Sequence, residues 1–452
     1  MDGPSDETRE SLSRTPAHEL AVDCLLAGIE AAHPSAIVAD AVSVHGESLT
    51  ITAVDGTSVT YDLSAYGDVI VIGGGNAAGE MAAALETRLG DRLAGGVVVT
   101  DTPAETADVE TVPGDHPLPS PRGVAGTERL LERVDAAGAD DLIISVISGG
   151  GSALLAAPVD SIGVGDLRRL TTELLASGAP IDEINAVRKH CSAIKGGRLA
   201  RRSSPASVVN LVLSDVVGDD LGVIGSGPTA PDPTTYGDAL LVVDEYDLEL
   251  PTSVREHLRA GADGKVPETP TTSDTAFDRI SSHVIGNGRN ALTAAAETAT
   301  DHGYESLLLA AGVQGEAQES ALTHAAIAEE CRETGSPTEP PVVLLSGGET
   351  TVTLAEDHGK GGPNQEFALS AGVELDGADI VVGSVDTDGI DGSTDVAGAV
   401  VDADTVSEDR ARAALDRNDV FPALDDADAL LKTGPTGTNV NDLRVFVVPR
   451  PE

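Results

Sequence analysis

Short apolar runs that end in glycine or aspartate, each followed by a helix-period stretch, recur along the chain. Asp68 leads into an apolar strand, a turn at Gly73, Gly74 and Gly75, and an alanine-rich helix. Gly96 to Thr100 ends at Asp101, Asp141 to Ile147 ends in Ser148-Gly149-Gly150-Gly151-Ser152, and Val208 to Leu213, broken only by Asn210, runs into Ser214 and Asp215. β-Branched runs without polar alternation suit strands buried on both faces, and their alternation with helices predicts a parallel, doubly wound α/β sheet. Upstream, His18 to Ala31 reads as an amphipathic helix with Leu20, Cys24, Leu25 and Ile29 on one side, and Val42 to Leu63 as a hairpin around Asp55-Gly56. A helix is expected from Val124, and another at Ala153 to Ala157.

The pattern decays between Leu248 and Arg279 into polar, threonine- and proline-rich sequence, then resumes. A second strand, turn and helix series starts at His283, continues at Glu305 and Pro341, and passes a glycine loop at Gly359 and a strand after Asp379. It closes with a hydroxyl-rich loop from Lys432 and a terminal strand. These shifts predict two domains, 17–255 and 280–450, joined by a hinge around 256–279.

Charge narrows the range of partners. The 452 residues carry 75 Asp and Glu against 28 Lys and Arg, a formal charge of −47. Nucleic acid and anionic membrane would repel such a chain. An apolar content of 40% in strand- and helix-length runs argues against disorder. Few lysines and abundant acids suit a salt-rich cytoplasm that screens self-repulsion. Cys24, Cys191 and Cys331 form no CxxC pair, so neither a disulfide framework nor a zinc site is expected. The first fifteen or so residues read as a disordered tail, and no segment has signal-peptide or membrane-span character, so a soluble cytoplasmic protein is expected.

Against this acidity, Arg188, Lys189, Lys195, Arg198, Arg201 and Arg202 crowd into one stretch, with two of the chain's five lysines among them. Read as one helix, Ile184, Val187, Cys191 and Ile194 share a face, Asn185, Arg188, Ser192 and Lys195 share its neighbour, and Gly196-Gly197 supplies the stop. Asp215, Asp219 and Asp220 follow the next strand, where ligands sit in open α/β sheets. Cations beside carboxylates at a strand end suit a magnesium-bound polyphosphate and an acidic substrate; the alternative is that they cap a helix and pair with an acidic surface. Gly73, Gly75 and Ala78 satisfy a loose G-x-G-x-x-A with Asp101 at the ribose position, which suits a dinucleotide or simply an anion at a helix N-terminus. The Ser148 to Ser152 loop and Gly347-Gly348-Glu349-Thr350 are further anion-loop candidates. His116, in a proline-bounded loop, reads equally as a site residue or as part of a structural turn with Asp115. Asp386, Asp388, Asp391 and Asp395 could hold a divalent cation through oxygen, without EF-hand spacing, or reflect turn chemistry in an acidic chain. No P-loop motif occurs.

Several of these stretches together resemble the class II glycerate kinases, the glycerate 2-kinase family with DUF4147 and MOFRL domains. They are SGGGSALL from Ser148, INAVRKHCSAIKGGRLA from Ile184, SDVVGDDLGVIGSGPTAPD from Ser214, LSGGETTV from Leu345, DTDGIDGSTDVAGA from Asp386 and TGPTGTNVNDL from Thr433. The resemblance covers about His18 to Val448. It implies a larger Rossmann-like N-terminal domain and a smaller mixed α/β MOFRL-type C-terminal domain. It also implies ATP- and Mg2+-dependent phosphorylation of D-glycerate at its 2-hydroxyl, in a cleft between them, by a monomer or homodimer. On that reading Arg188, Lys195, Asp215 and Asp219 are catalytic, while Ser148, Gly149, Gly150, Ser152, His116 and Asn76 bind substrate. Gly73, Gly74, Gly75, Gly347, Gly348 and Asn364 then bind the nucleotide, and Asp215, Asp388 and Asp391 the metal. Asn76 and Pro363 stand where the family generally has a lysine and an arginine; either Arg188, Lys195, Lys360 or Arg289 compensates, or the substrate or rate differs. The alternatives are an NAD(P)H-dependent hydroxypyruvate reductase, resting on Gly73, Gly75 and Asp101, and a kinase-derived sugar-acid binding protein.

Overall fold

The computed structural model describes residues 6–451 except Ala378, and the chain divides into two compact units, residues 38–285 and residues 1–37 with 286–452. In the first, β1 (Val42–His45), β2 (Ser48–Thr52) and β3 (Ser58–Asp62) form an antiparallel sheet. The expected hairpin around Asp55-Gly56 joins β2 to β3, and a second one, at Gly46-Glu47, separates β1 from β2.

The principal sheet of this unit comprises β4 (Val69–Gly74), β5 (Leu93–Thr100), β6 (Val109–Pro113), β7 (Leu142–Ile147), β8 (Ser207–Leu213) and β9 (Ile280–Gly286). Their order is β6-β5-β4-β7-β8-β9, and the β6 to β8 pairings are parallel. Counted within the sheet this is 3-2-1-4-5-6, the doubly wound order, whose direction reverses between β4 and β7. The all-apolar faces of β4 and β7 are buried, as strands covered on both sides require. The helix Pro121–Ala136 starts three residues before the expected Val124, because Ser120 accepts the Gly123 amide and Pro121 occupies the first turn.

The second unit has a mixed sheet: β10 (Glu305–Glu316), β11 (Val342–Thr351), β12 (Val381–Asp386), β13 (Gly398–Val401), β14 (Leu430–Leu431) and β15 (Asp442–Val448), in the order β10-β11-β15-β12-β13-β14. Only β10 and β11 pair in parallel. The helix Pro16–Ala31 belongs here, although its sequence precedes the other unit. Leu25 lies against Gly383 and Gly28 against Leu443 and Ala291, so its apolar stripe finds its partner more than two hundred residues downstream. The division therefore differs from the expected 17–255 and 280–450. Residues 256–279 lie within the first unit, where Thr252–Ala262 is a helix that buries Val254 and Leu258.

Of the expected disordered tail of about fifteen residues, residues 1–5 lie outside the described residues and much of the rest is helical. A helix, Asp6–Leu12, packs on Pro16–Ala31 and buries Leu12. No single helix among the described residues is long and apolar enough to cross a membrane. The bent pair Pro16–Ala31 and Pro34–Ala41 reaches the needed length and composition only when taken together, and the apolar stripe of its first member is spent on the sheet.

Candidate functional site

The turns after β4 and β7 meet at the point where the sheet order reverses. Gly73 and Gly75 take φ of 145° and 147°, and a Cβ at Gly73 would sit 1.9 Å from the Val146 carbonyl oxygen, one at Gly75 2.1 Å from Ser148 Oγ. Gly74 faces Leu155 less closely, at 2.7 Å. Ser148 Oγ accepts the Ala77 amide at 3.1 Å, the Asn76 amide goes to the Gly149 carbonyl at 2.8 Å, and the Gly75 amide to Val99. At Gly73, Gly74 and Gly75, where a nucleotide site was expected, packing uses these glycines and the chain itself satisfies the turn's amides. The same occupation counts against a dinucleotide there, since a pyrophosphate would need those donors.

The loop after β7 is different. Gly150 is left-handed, at φ 73°, and the amides of Gly149 and Gly150 make no hydrogen bond among the described residues. Consecutive free amides at such a bend form an anion-binding concavity. Gly150 and Ser152 line a cavity of about 200 Å3 together with His116, Thr171, Leu175 and Arg188. Thr171 and Leu175 come from the helix Val164–Ala176, whose amphipathic spacing was there to be read but carried no chemical signal. Asn76 rests on Gly150, and its Oδ1 is buried without a partner. His116 is exposed on the cavity wall; desolvation there holds its pKa below the usual histidine value, the nearby Asp101 opposing and Arg188 reinforcing the shift.

The crowded cations separate into two groups. Lys189 pairs with buried Asp232 at 3.3 Å, Arg201 with Asp274 at 2.8 Å and Arg202 with Asp135 at 2.6 Å. Arg198 binds the carbonyls of Lys189 and Ser192 and the Tyr236 hydroxyl. The structural alternative accounts for these four. Arg188 and Lys195 remain. Arg188 makes neither hydrogen bond nor ion pair among the described residues, and burial pushes its pKa down. Lys195 is 5% exposed and donates to the Leu155 carbonyl at 3.2 Å; burial, followed by the Arg188 charge, brings its pKa down to about 7.

These two residues do not share a helix, as the spacing had suggested. The helix is Ile181–His190 and ends at Cys191. The chain then turns so that the Ala193 amide reaches the Ala157 carbonyl at 2.7 Å and Ser192 bridges Pro158. Gly196 and Gly197 are both left-handed and lead into a further helix, Arg198–Ser203.

Asp215, at the end of β8, lies over Gly149, where an added Cβ would fall 2.1 Å from Oδ2; burial raises its pKa above the ordinary carboxylate value. Asp219 follows in the same loop with a left-handed φ of 56°. Ser152 Oγ and Ser226 Oγ are 2.7 Å apart, and Ser226 donates to Asn185 Oδ1 at 2.9 Å. This string was not foreseen as a unit.

In the other unit, Gly347 and Gly348 are packed rather than open. A Cβ at Gly348 would lie 2.2 Å from the Val313 carbonyl oxygen and one at Gly347 3.1 Å from that of Asp442. Asn364 is buried, with its amide nitrogen on Asp442 at 2.7 Å and on Asp391 and its oxygen accepting from Ser384 at 2.6 Å. Asp391 accepts the backbone amides of Asn364 and Gln365, both at 2.9 Å, and so caps the helix Pro363–Glu374. Pro363 opens that helix at its first position, where the missing N–H costs nothing. Asp388 accepts the Ile390 amide at 2.7 Å.

Asp391 is a helix cap, and no group of three His, Cys, Asp or Glu able to hold a metal occurs among the described residues. A fully buried Arg444, bonded to Asp442 and lying over Phe367, was missed by sequence reading because one arginine in an apolar strand carries no pattern.

Residues 20–259 match the domain of unknown function DUF4147, and residues 342–442 the MOFRL family. The chain is 38% identical to a glycerate 2-kinase of Pyrococcus horikoshii over 93% of its own length and 94% of the relative's. It is 42% identical to an Agrobacterium vitis protein provisionally named a hydroxypyruvate reductase, over 84% of this chain and 87% of that one. The crystal structure of a glycerate kinase from Thermotoga maritima superposes with a TM-score of 0.82 at 36% identity, covering 95% of this chain and 99% of that chain. The chain belongs to the glycerate kinase family that joins a DUF4147 domain to a MOFRL domain.

Proposed function

We propose that this protein transfers the γ-phosphoryl group of ATP to the 2-hydroxyl of D-glycerate, giving 2-phosphoglycerate and ADP. The observation that carries the reading is Arg188, a half-buried guanidinium without a carboxylate, facing a cavity beside two unpaired glycine amides. A cation desolvated without a counter-charge is costly, so the site suits a ligand that brings the negative charge. Relatives that match 93% and 95% of the chain are named glycerate kinases.

Arg188 and the Gly149 and Gly150 amides hold the acid's carboxylate or the transferring phosphoryl group. Lys195, with its pKa near 7, takes up a proton and adds charge when the anion arrives. Asp215, placed over Gly149 with its pKa raised by burial, takes the hydroxyl proton as the oxygen attacks phosphorus and ADP leaves. Phosphoryl transfer needs positioning and neutralisation of spread charge, which this set supplies. His116, Ser152 and the unpaired Oδ1 of Asn76 contact the acid's hydroxyls, and Asp219 orients the loop. Magnesium arrives as part of the nucleotide substrate, since phosphates supply much of its coordination. The acidic composition fits work in a salt-rich cytoplasm.

Purified protein at molar KCl is given D-glycerate with MgATP, and separately hydroxypyruvate with NADH. ADP release in the first mixture supports the kinase. NADH oxidation without ADP release rejects it, and tight glycerate binding with no turnover would favour the binding protein.

A further inference from the structure

A second, larger cavity lies in the same unit, with a volume of about 750 Å3. It opens beside the helix Ile181–His190 and is bounded by the loop after Asp219 and by residues 272–282. A three-carbon acid would leave most of it empty, whereas drug-sized ligands occupy sites of roughly 300–1,000 Å3. Leu221, Val223, Phe277 and Ile280 give it apolar walls. Asn185 is 2% exposed and reaches this cavity; its Nδ2 is buried with no hydrogen-bond partner, although its Oδ1 accepts from Ser226. A buried amide donor left unpaired is costly, so it marks a place where an acceptor belongs. Asp182 and Asp220 stand exposed at the rim.

We propose that this cavity binds the nucleoside half of the phosphoryl donor, an inference that rests on the kinase reading above. A flat aromatic base fits between the apolar walls, one ring nitrogen accepts from Asn185 Nδ2, and the ribose hydroxyls donate to the rim carboxylates. Asn185 also joins this cavity to the smaller one: Ser226 links its Oδ1 to Ser152, which lines the Arg188 cavity. The base is thereby read by the same hydrogen-bonded string that touches the anion site, and the turn glycines after β4 are not needed for nucleotide.

The full chain is photolabelled with 8-azido-ATP at molar KCl and its labelled peptides are mapped. The expected label falls within residues 220–234 or 272–282 and is suppressed by the non-hydrolysable analogue AMP-PNP. Label in residues 347–364, or label displaced by D-glycerate rather than by AMP-PNP, overturns the assignment. Thr272→Trp, at an exposed rim position in a chain with no other tryptophan, narrows the mouth. It should weaken AMP-PNP binding about tenfold or more while leaving the KM for glycerate and the Tm unchanged; unchanged nucleotide affinity contradicts the proposal. Label on the expected peptides in a protein that makes no phosphoglycerate would retire the kinase reading and leave the nucleoside site standing.

Discussion

Lys195 is buried within reach of the Arg188 charge, which helps hold its pKa down to about 7, and neither cation is matched by a carboxylate among the described residues. Two adjacent positive groups in a chain of net charge −47 are stable there only at a cost that an incoming anion relieves.

Binding of an anion should therefore be linked to a proton. In the unfolded chain a lysine stays charged to about pH 10.4, so between about pH 7 and 10 the unfolded state binds more protons than the folded one. Stability from this group rises with pH across that window. An anion raises the folded pKa again. At pH 8, titration with D-glycerate in buffers of different ionisation enthalpy should show proton uptake, and Lys195→Met should abolish it. Identical heats across buffers in the wild-type protein would contradict this.

Arg188→Ala should lower kcat/KM at least about a hundredfold, the scale for one preorganised electrostatic contact, with Tm unchanged or raised because an uncompensated charge is removed. Arg201→Ala, which breaks a surface pair with Asp274, should change stability by no more than about 1 kcal/mol and leave kcat/KM alone. Equal losses of activity in the two variants would return Arg188 to the structural group.

Asp391 separates a cap from a metal ligand. If it closes the start of Pro363–Glu374, Asp391→Ala should cost about 2 kcal/mol or more, since two amides and the Asn364 and Gln365 side chains lose their acceptor. EDTA should then leave the wild-type Tm in place. A chelator-induced drop that Asp391→Ala abolishes would restore the metal role.

Ser148→Ala leaves the Ala77 amide buried and unpaired and should lower stability by about 1 kcal/mol. NADH should bind neither this variant nor the wild-type protein at the β4 turn. Measurable NADH affinity in the wild type would reopen the dinucleotide reading.

The buried strands and their strand-end turns were legible because parallel strands covered on both faces write themselves as continuous apolar runs, and Ser148 to Ser152 and Asp215 fell where those runs stop. What escaped was non-local. Pro16–Ala31 looked like the start of the nearest domain, yet its stripe matches Gly383 and Leu443. The helix carrying Arg188 ends at His190 because Ala193 bonds Ala157, and that turn carries Lys195 beneath Leu155. The six cations looked alike in sequence; only the positions of Asp232, Asp274 and Asp135 distinguish the paired ones from Arg188. Glycines that read as phosphate cradles at Gly73 and Gly348 serve close strand approach, a role that composition alone does not separate from binding.

The most direct test follows phosphorus by 31P NMR while D-glycerate and MgATP are incubated with the wild-type protein and with Arg188→Ala at molar KCl. A resonance of 2-phosphoglycerate should grow in step with ADP in the first sample and be nearly absent in the second. Equal product in both samples, or none in the first, would contradict the role given to Arg188.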